Sequence, residues 1–304
     1  MTLAWAAVSD VGRRRQANED SVIVQPPVFA VADGMGGHAA GDLASAAVVD
    51  RLLALAGRDD VDQGVVGDVL VLAAHDIDDL GEHLPLGAGT TVTGAVLDVA
   101  GAEPAFVIFN VGDSRVYSFV GNELAQVTHD HSVVQELVDQ GLLSAADAET
   151  HPESNVVTRA LGFHEAPRPD YWSVPLRAGM RLLLCSDGLT KELPAPRLRL
   201  HLAARLSAAE TASALVDAAL AAGGRDNITV IVIDVLEAPG HTERSVYNED
   251  STGSRGRSWH DVFPRNPLCF RGSRTCTCWG RAASPTSSCT SRTCPAVRSR
   301  SRSC

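Results

Sequence analysis

The sequence predicts an α+β fold in which two mostly antiparallel sheets pack face to face with helices outside. Three observations carry this. Short apolar runs of strand length recur through the first 237 residues, they come in adjacent pairs, and segments of helical period fall in pairs between them. Single strands and helices do not alternate strictly, as a doubly wound parallel sheet would require.

The elements follow in order. "LAWAAVSD", "SVIVQ" and "VFAVAD" are the first three strand runs. Two helical segments follow, "GDLASAAVVDRLLALA" and "GVVGDVLVLAAHDIDDL", with apolar residues at helical spacing and turn chemistry after the second in "LPLGAG". Three more strand runs are "TTVTGAVLDV", "PAFVIFNVGD" and "RVYSFV". The helical "HSVVQELVDQG" stops at Gly141, a residue suited to a helix end. Then come the strand "RLLLCSD", the helix "SAAETASALVDAALAAG" and the strand "NITVIVIDV". Runs that alternate apolar with small or polar residues suit sheets with one face in a core, and the nearly continuous ones suit deep burial.

Residues 1–237 read as one folded unit, and 238–304 as an Arg/Ser/Cys-rich tail without periodicity, expected to be disordered because it cannot bury enough apolar surface to fold. Six of seven cysteines lie in this tail, without paired C-x-x-C spacing or a following His, so zinc is not expected there. So abrupt a change also fits a shifted reading frame. The net charge of −11 is split: the last 54 residues hold ten Arg, no Lys and one acid, about +9, which leaves the remainder near −20. An acidic body argues against nucleic-acid binding and suits the collection of divalent cations. No apolar stretch reaches membrane-spanning length, and the first residues are apolar with Arg13, Arg14 and Arg15 after them, the reverse of a secretory signal. The expected location is cytoplasmic, consistent with a body whose single cysteine, Cys185, reads as a small buried hydrophobe.

The chemistry lies in a recurring pattern, an acid beside Gly or Asn at one end of an apolar run. It gives Asp33 in "VFAVADG", Asp113 in "VIFNVGDSR", Asp187 in "LLLCSDG", Asp226 in "GGRDNITVIV", and Glu19 with Asp20 in "QANEDSVIV". One such Asp is an ordinary turn residue. Several at strand ends can gather at one rim of the sheets, where they would raise one another's pKa unless a cation neutralised them. Oxygen-only donors select hard ions such as Mg²⁺ or Mn²⁺. The glycines of "DGMGGH" would let main chain, the Gly34 carbonyl in particular, approach such an ion. Arg15, four residues before Glu19, suits a phosphate gripped by two parallel hydrogen bonds. Together these point to two-metal phosphoryl hydrolysis.

The segments "SDVGRRRQANEDS", "FAVADGMGGHAAGDLAS", "GAGTTVTGAVL", "FNVGDSRVY", "QVTHDHSVVQELVDQG", "HPESNVVTRALG", "LLLCSDGLT" and "GGRDNITVIVIDV" cover residues 3–236. In that order they resemble the bacterial type-2C (PPM-type) metal-dependent Ser/Thr protein phosphatases. The resemblance implies a four-layer αββα sandwich with two Mn²⁺ or Mg²⁺ at one end. Asp33 would bridge both ions, Gly34 would offer its carbonyl to one, and Asp187 and Asp226 would hold the other. Asp20 would act through coordinated water with Glu19 beside it, and Asp113 with Asp187 matches a third, weaker ion. Arg15 matches the phosphate clamp. Hydrolysis would be direct, without a phosphoenzyme, so Cys185 would not be a nucleophile. His38 is the candidate proton donor to the leaving group, with a coordinated water as the alternative, and His151 is a second candidate near substrate. Residues 141–157 match a mobile flap. Arg225, where many relatives have a neutral residue, is a cation placed to tune metal affinity at Asp226. The partners implied are phosphoserine and phosphothreonine proteins and Ser/Thr kinases. A fold retained as a binding scaffold, or dedicated to one phosphoprotein, is the competing reading; intact Asp33, Asp187, Asp226 and Arg15 count against the scaffold.

Overall fold

The structure, a computed structural model, describes residues 1–36, 40–82, 87–100, 103–148, 151–238, 269–272 and 275–277. In chain order the elements are β1 (Thr2–Asp10), β2 (Asp20–Gln25), β3 (Val28–Met35), α1 (Ala40–Leu53), α2 (Gln63–Gly81), β4 (Gly89–Thr90), β5 (Val92–Asp98), β6 (Ala105–Val111), β7 (Arg115–Val120) and β8 (Glu123–Gln126). They continue with α3 (Val133–Asp139), α4 (Ala145–Ala148), β9 (Leu161–Gly162), β10 (Asp170–Pro175), β11 (Arg181–Cys185), α5 (Asp187–Thr190), α6 (Ala195–Leu202), α7 (Ala208–Ala222), β12 (Ile228–Glu237), β13 (Cys269–Gly272) and β14 (Thr275–Thr277).

The strands form two sheets. One runs β14-β13-β1-β12-β11-β7-β8; the other runs β10-β6-β5-β3-β4-β9, with β2 also paired to β3. Pairing is antiparallel throughout except between β1 and β13. Alternation along the strands sorts side chains into layers. On β12, Ile231, Ile233 and Val235 face the other sheet and meet Phe29, Val31, Phe106 and Ile108 there. Val230 and Val232, one residue out of phase, meet Leu215 and Val216 of α7. On the second sheet Ala30 and Ala32 turn outward against Ala44 and Val48 of α1 and Leu70 of α2. The result is the expected helix–sheet–sheet–helix sandwich.

Every strand run and helical segment read from the sequence is present. Helix α7 begins on a capping box, Ser207 accepting from the Glu210 amide while Glu210 reaches back to Ser207, and ends at Gly223. β8 and β10 were not expected; each lies at a sheet edge, where little apolar pattern is needed. Within the tail, β13 and β14 add to the edge of the first sheet, beside β1; its other residues lie outside the described set.

One buried charge fixes the helical face of the first sheet. Arg181, 8% exposed, pairs with Asp234 at 2.5 and 2.8 Å and donates to Thr211 Oγ1, to the carbonyl of Leu202 at the end of α6 and to that of Leu206 just before α7. Arg181→Met should cost about 3 kcal/mol, because Asp234 and two carbonyls lose their donors together. Urea unfolding monitored by circular dichroism reads this directly.

Candidate functional site

The alternation that builds the inter-sheet core also aims the acids. Val22 and Val24 on β2 and Phe29 and Val31 on β3 face that core. Asp20 and Asp33 share their phase, and the register places the two directly opposite one another. On the facing sheet Leu182 and Leu184 point inward. The next residue in phase, Ser186, donates Oγ to Asp20 Oδ2 at 2.8 Å, bridging the sheets. The chain then leaves β11 and opens α5 on Asp187, while Asp226 precedes β12 and Asp113 occupies the turn between β6 and β7. Arg15, Glu19, Asp33, Asp113, Asp187 and Asp226 line one cleft of about 820 Å³, and Asp20 is buried beside them.

Main chain holds these groups in place. Asp33 is gripped through its backbone: the Thr91 amide and Thr90 Oγ1 each donate to its carbonyl at 2.9 Å. Asn227 laces the loop carrying Arg15 and Glu19 to the start of β12. Its Nδ2 donates to the Val11 and Ala17 carbonyls, and its Oδ1 accepts from the Glu19 amide, all at 2.9 Å. Gly12 makes the close approach possible. Its φ is +77°, and a Cβ there would stand 2.1 Å from the Asp226 carbonyl oxygen. The loop so anchored forks Arg15 onto Asp226, Nε to Oδ1 at 2.8 Å and Nη2 to Oδ2 at 3.0 Å.

Gly34 is also demanded by packing. A Cβ at this position would lie 2.0 Å from the Gly41 carbonyl oxygen and 2.6 Å from that of Glu19. Its missing side chain is required by the contact between β3 and the first turn of α1. Arg225 pairs with Glu192 and not with Asp226. Its Nε and its amide both reach Glu192 Oε1, at 2.9 and 3.0 Å, so its charge is neutralised. Besides Arg15, the cation on Asp226 is Lys191, whose Nζ pairs with Asp187 Oδ2 and lies 3.6 Å from Asp226 Oδ2.

Burial and mutual repulsion dominate the electrostatics. Burial pushes the Asp20 carboxyl up to about 7 against the opposing hydrogen bonds of Thr229 and Ser186, with Asp187 and Asp226 adding to the rise. Burial likewise lifts Asp113 to about 7, with Asp187 the next cause. Asp33 is raised well above the usual carboxylate range by burial and then by Asp20, Asp187, Asp113 and Asp226. Asp187 is raised by burial, with Lys191 opposing.

The residues fit hard divalent cations. The donors are all oxygen, and Asp20 Oδ1 and Asp187 Oδ1 are buried with no hydrogen-bond partner among the described residues. Among those residues no three acid, imidazole or thiol side chains are drawn tightly enough around one point to form a finished cation cage. Lys191 and Arg15 hold carboxylate oxygens that such a cage would use.

The structure thus brings Arg15, Glu19, Asp20, Asp33, Gly34, Asp113, Asp187 and Asp226 to one end of the sandwich. His38 lies outside the described residues. His151 is on the flap segment, its Nδ1 accepting from the Glu153 amide at 3.2 Å; Ser154, Asn155 and Val157 of that segment line the cleft, and His151 does not. Cys185 is fully buried and its thiol is pushed by burial up to about 12, which agrees with a packing role. Sequence reasoning missed Lys191 and Asn227. A lysine four residues after Asp187 was a readable signal; the three bonds of Asn227 reach residues more than 200 positions away and were not.

Comparison with known proteins decides the lineage. Residues 13–222 match the family model for protein phosphatase 2C. The chain belongs to the protein phosphatase 2C family. A serine/threonine phosphatase, stp, of Listeria welshimeri is 38% identical over 240 residues, covering 74% of this chain and 93% of that protein. The serine/threonine protein phosphatase PstP of Mycobacterium tuberculosis is 39% identical over 248 residues, 78% of this chain and 46% of the longer relative. The crystal structure of the M. tuberculosis phosphatase PstP/Ppp superposes with a TM-score of 0.71 at 36% identity, covering 78% of this chain and all of that one. A structure of the PstP catalytic domain with two manganese ions superposes at 0.67 with 37% identity, covering 77% and 99%. As in this family, the fold is the αββα sandwich. No described helix is long and apolar enough to cross a membrane.

Proposed function

We propose that the protein is a divalent-metal-dependent protein serine/threonine phosphatase, acting on phosphoproteins. The observation that carries this is the convergence of Asp33, Asp187 and Asp226 on a cleft that also holds Arg15, with Asp20 buried beside it; Asp20 and Asp187 each carry a buried oxygen with no hydrogen-bond partner among the described residues. Asp33, Asp187 and Asp226 would hold two Mn²⁺ or Mg²⁺ ions, with the Gly34 carbonyl and Asp20 completing the set. Asp113 with Asp187 would take a third ion, held more weakly. When bound, such ions supply Lewis acidity and activate water at neutral pH.

The chain's own residues then have distinct tasks. Asp20, Asp33 and Asp113 give up the protons that burial lets them keep, since a carboxylate binds metal only when ionised. Thr90 and Thr91 keep Asp33 aimed, and Ser186 does so for Asp20. Arg15, whose planar fork already matches a carboxylate, would grip the oxygens of a phosphate and stabilise the charge that grows on them. Arg15→Ala should therefore lower kcat/KM about 10²–10³-fold on a phosphothreonine peptide, with the amide circular dichroism unchanged. Substrates would be phosphoserine and phosphothreonine proteins made by bacterial Ser/Thr kinases.

Phosphate release from a phosphothreonine peptide, with Mn²⁺ and then with chelator, tests the function. Turnover with Mn²⁺ that falls at least about a thousandfold in chelator is expected. No turnover with Mn²⁺ would leave a binding scaffold as the better account.

A further inference from the structure

The only lysine in the chain stands in the metal site. Every other one of the 26 Lys and Arg side chains is arginine. Lys191 lies one helical turn past Asp187, at the end of α5, and its ammonium binds Asp187 Oδ2 and faces Asp226 Oδ2 at 3.6 Å. Its backbone is clamped from the far side. Arg225 Nη2 donates to the Lys191 carbonyl at 3.0 Å, and the same guanidinium is held by Glu192, whose side chain is almost fully buried. The clamp delivers the lysine stem to the cleft wall, which Lys191 helps to line. The hydrogen bonds of Arg15 go to Asp226; Lys191 reaches both acids. The choice of residue matters: an ammonium is a compact charge on a flexible stem that can swing aside, whereas a guanidinium would lock onto a carboxylate as a fork.

We propose that Lys191 is a built-in competitor for the divalent cation, neutralising Asp187 and Asp226 in the metal-free protein and leaving them when a cation is held. The proposal rests on the assignment of these acids to metal binding. A positive charge at ion-pair distance from two ligands opposes a second cation at the same oxygens, and the opposition is strong where water is scarce. The lysine thus weakens metal affinity below what the carboxylates alone would give. It also spares the metal-free fold the full repulsion of its acids. The consequence is regulatory: the site loads and empties with the free cation concentration.

The test is Mn²⁺ binding by titration calorimetry on the wild type, Lys191→Met and Lys191→Arg. Lys191→Met keeps the length of the stem and removes the charge. It should bind Mn²⁺ about tenfold more tightly or better, and Lys191→Arg no more tightly than wild type. Equal or weaker binding by Lys191→Met overturns the proposal. Absence of Mn²⁺ binding from both wild type and Lys191→Met would instead remove the metal assignment beneath it. A second measurement needs no variant. With ¹³Cε-labelled lysine the protein shows the resonance of Lys191 alone, and diamagnetic Mg²⁺ should move it towards the free-lysine position in step with binding. A resonance unmoved at saturating Mg²⁺ contradicts displacement.

Discussion

Asp187→Asn is expected to lower phosphopeptide turnover by about 10³-fold or more, and to leave the fold at least as stable as before when metal is absent. The two halves of this expectation share one cause. Asp187 stands near Asp20, Asp113 and Asp226 with its side chain 15% exposed, Oδ1 without a hydrogen-bond partner among the described residues and Oδ2 held by Lys191. Asn keeps the shape and removes the charge, so a cation loses a ligand and the remaining acids lose a repulsive neighbour. Residues that serve only the fold behave in the opposite way, as Arg181 should. Turnover at saturating Mn²⁺, set beside a thermal melt in chelator, separates the cases; a variant that melts much earlier would place Asp187 among the structural residues.

The metal-free protein should lose stability as pH rises from about 4 to 7, because its buried acids hold their protons more tightly when folded. Asp20 and Asp113 have folded-state values near 7 against an ordinary value of 3.8. Through that window the folded state binds more protons than the unfolded chain. Stability therefore is full below the unfolded value and is lost as pH climbs through the folded one. Divalent cations should reverse the loss, because they bind the ionised acids that pH exposes. Thermal melts across this range, in chelator and in Mg²⁺, should diverge as pH rises. Parallel curves would mean that cation binding is not coupled to these protons.

Much of this was legible along the chain because acids at strand ends are conspicuous. Asp33 and Asp187 each interrupt an apolar run, and alternation then dictates which layer they face. Ser207 and Glu210 announce the start of α7 in the same local way. What was hidden depends on partners distant in sequence. That Asp20 lies opposite Asp33 is a matter of register, and that Ser186 reaches Asp20 is a matter of how two sheets stack. The packing at Gly34 was hidden for the same reason: the atom that forbids its Cβ belongs to Gly41, in the next element. The charge of Arg225 was visible, but Glu192, which cancels it, sits 33 residues earlier.

The most direct test of the convergence of these acids is the number of Mn²⁺ ions bound per chain, measured by equilibrium dialysis with metal analysis on the wild type and on Asp33→Asn. Two or more ions on the wild type, with at least one lost in the variant, is the predicted result. An unchanged count in Asp33→Asn, or no ion on the wild type, would contradict it.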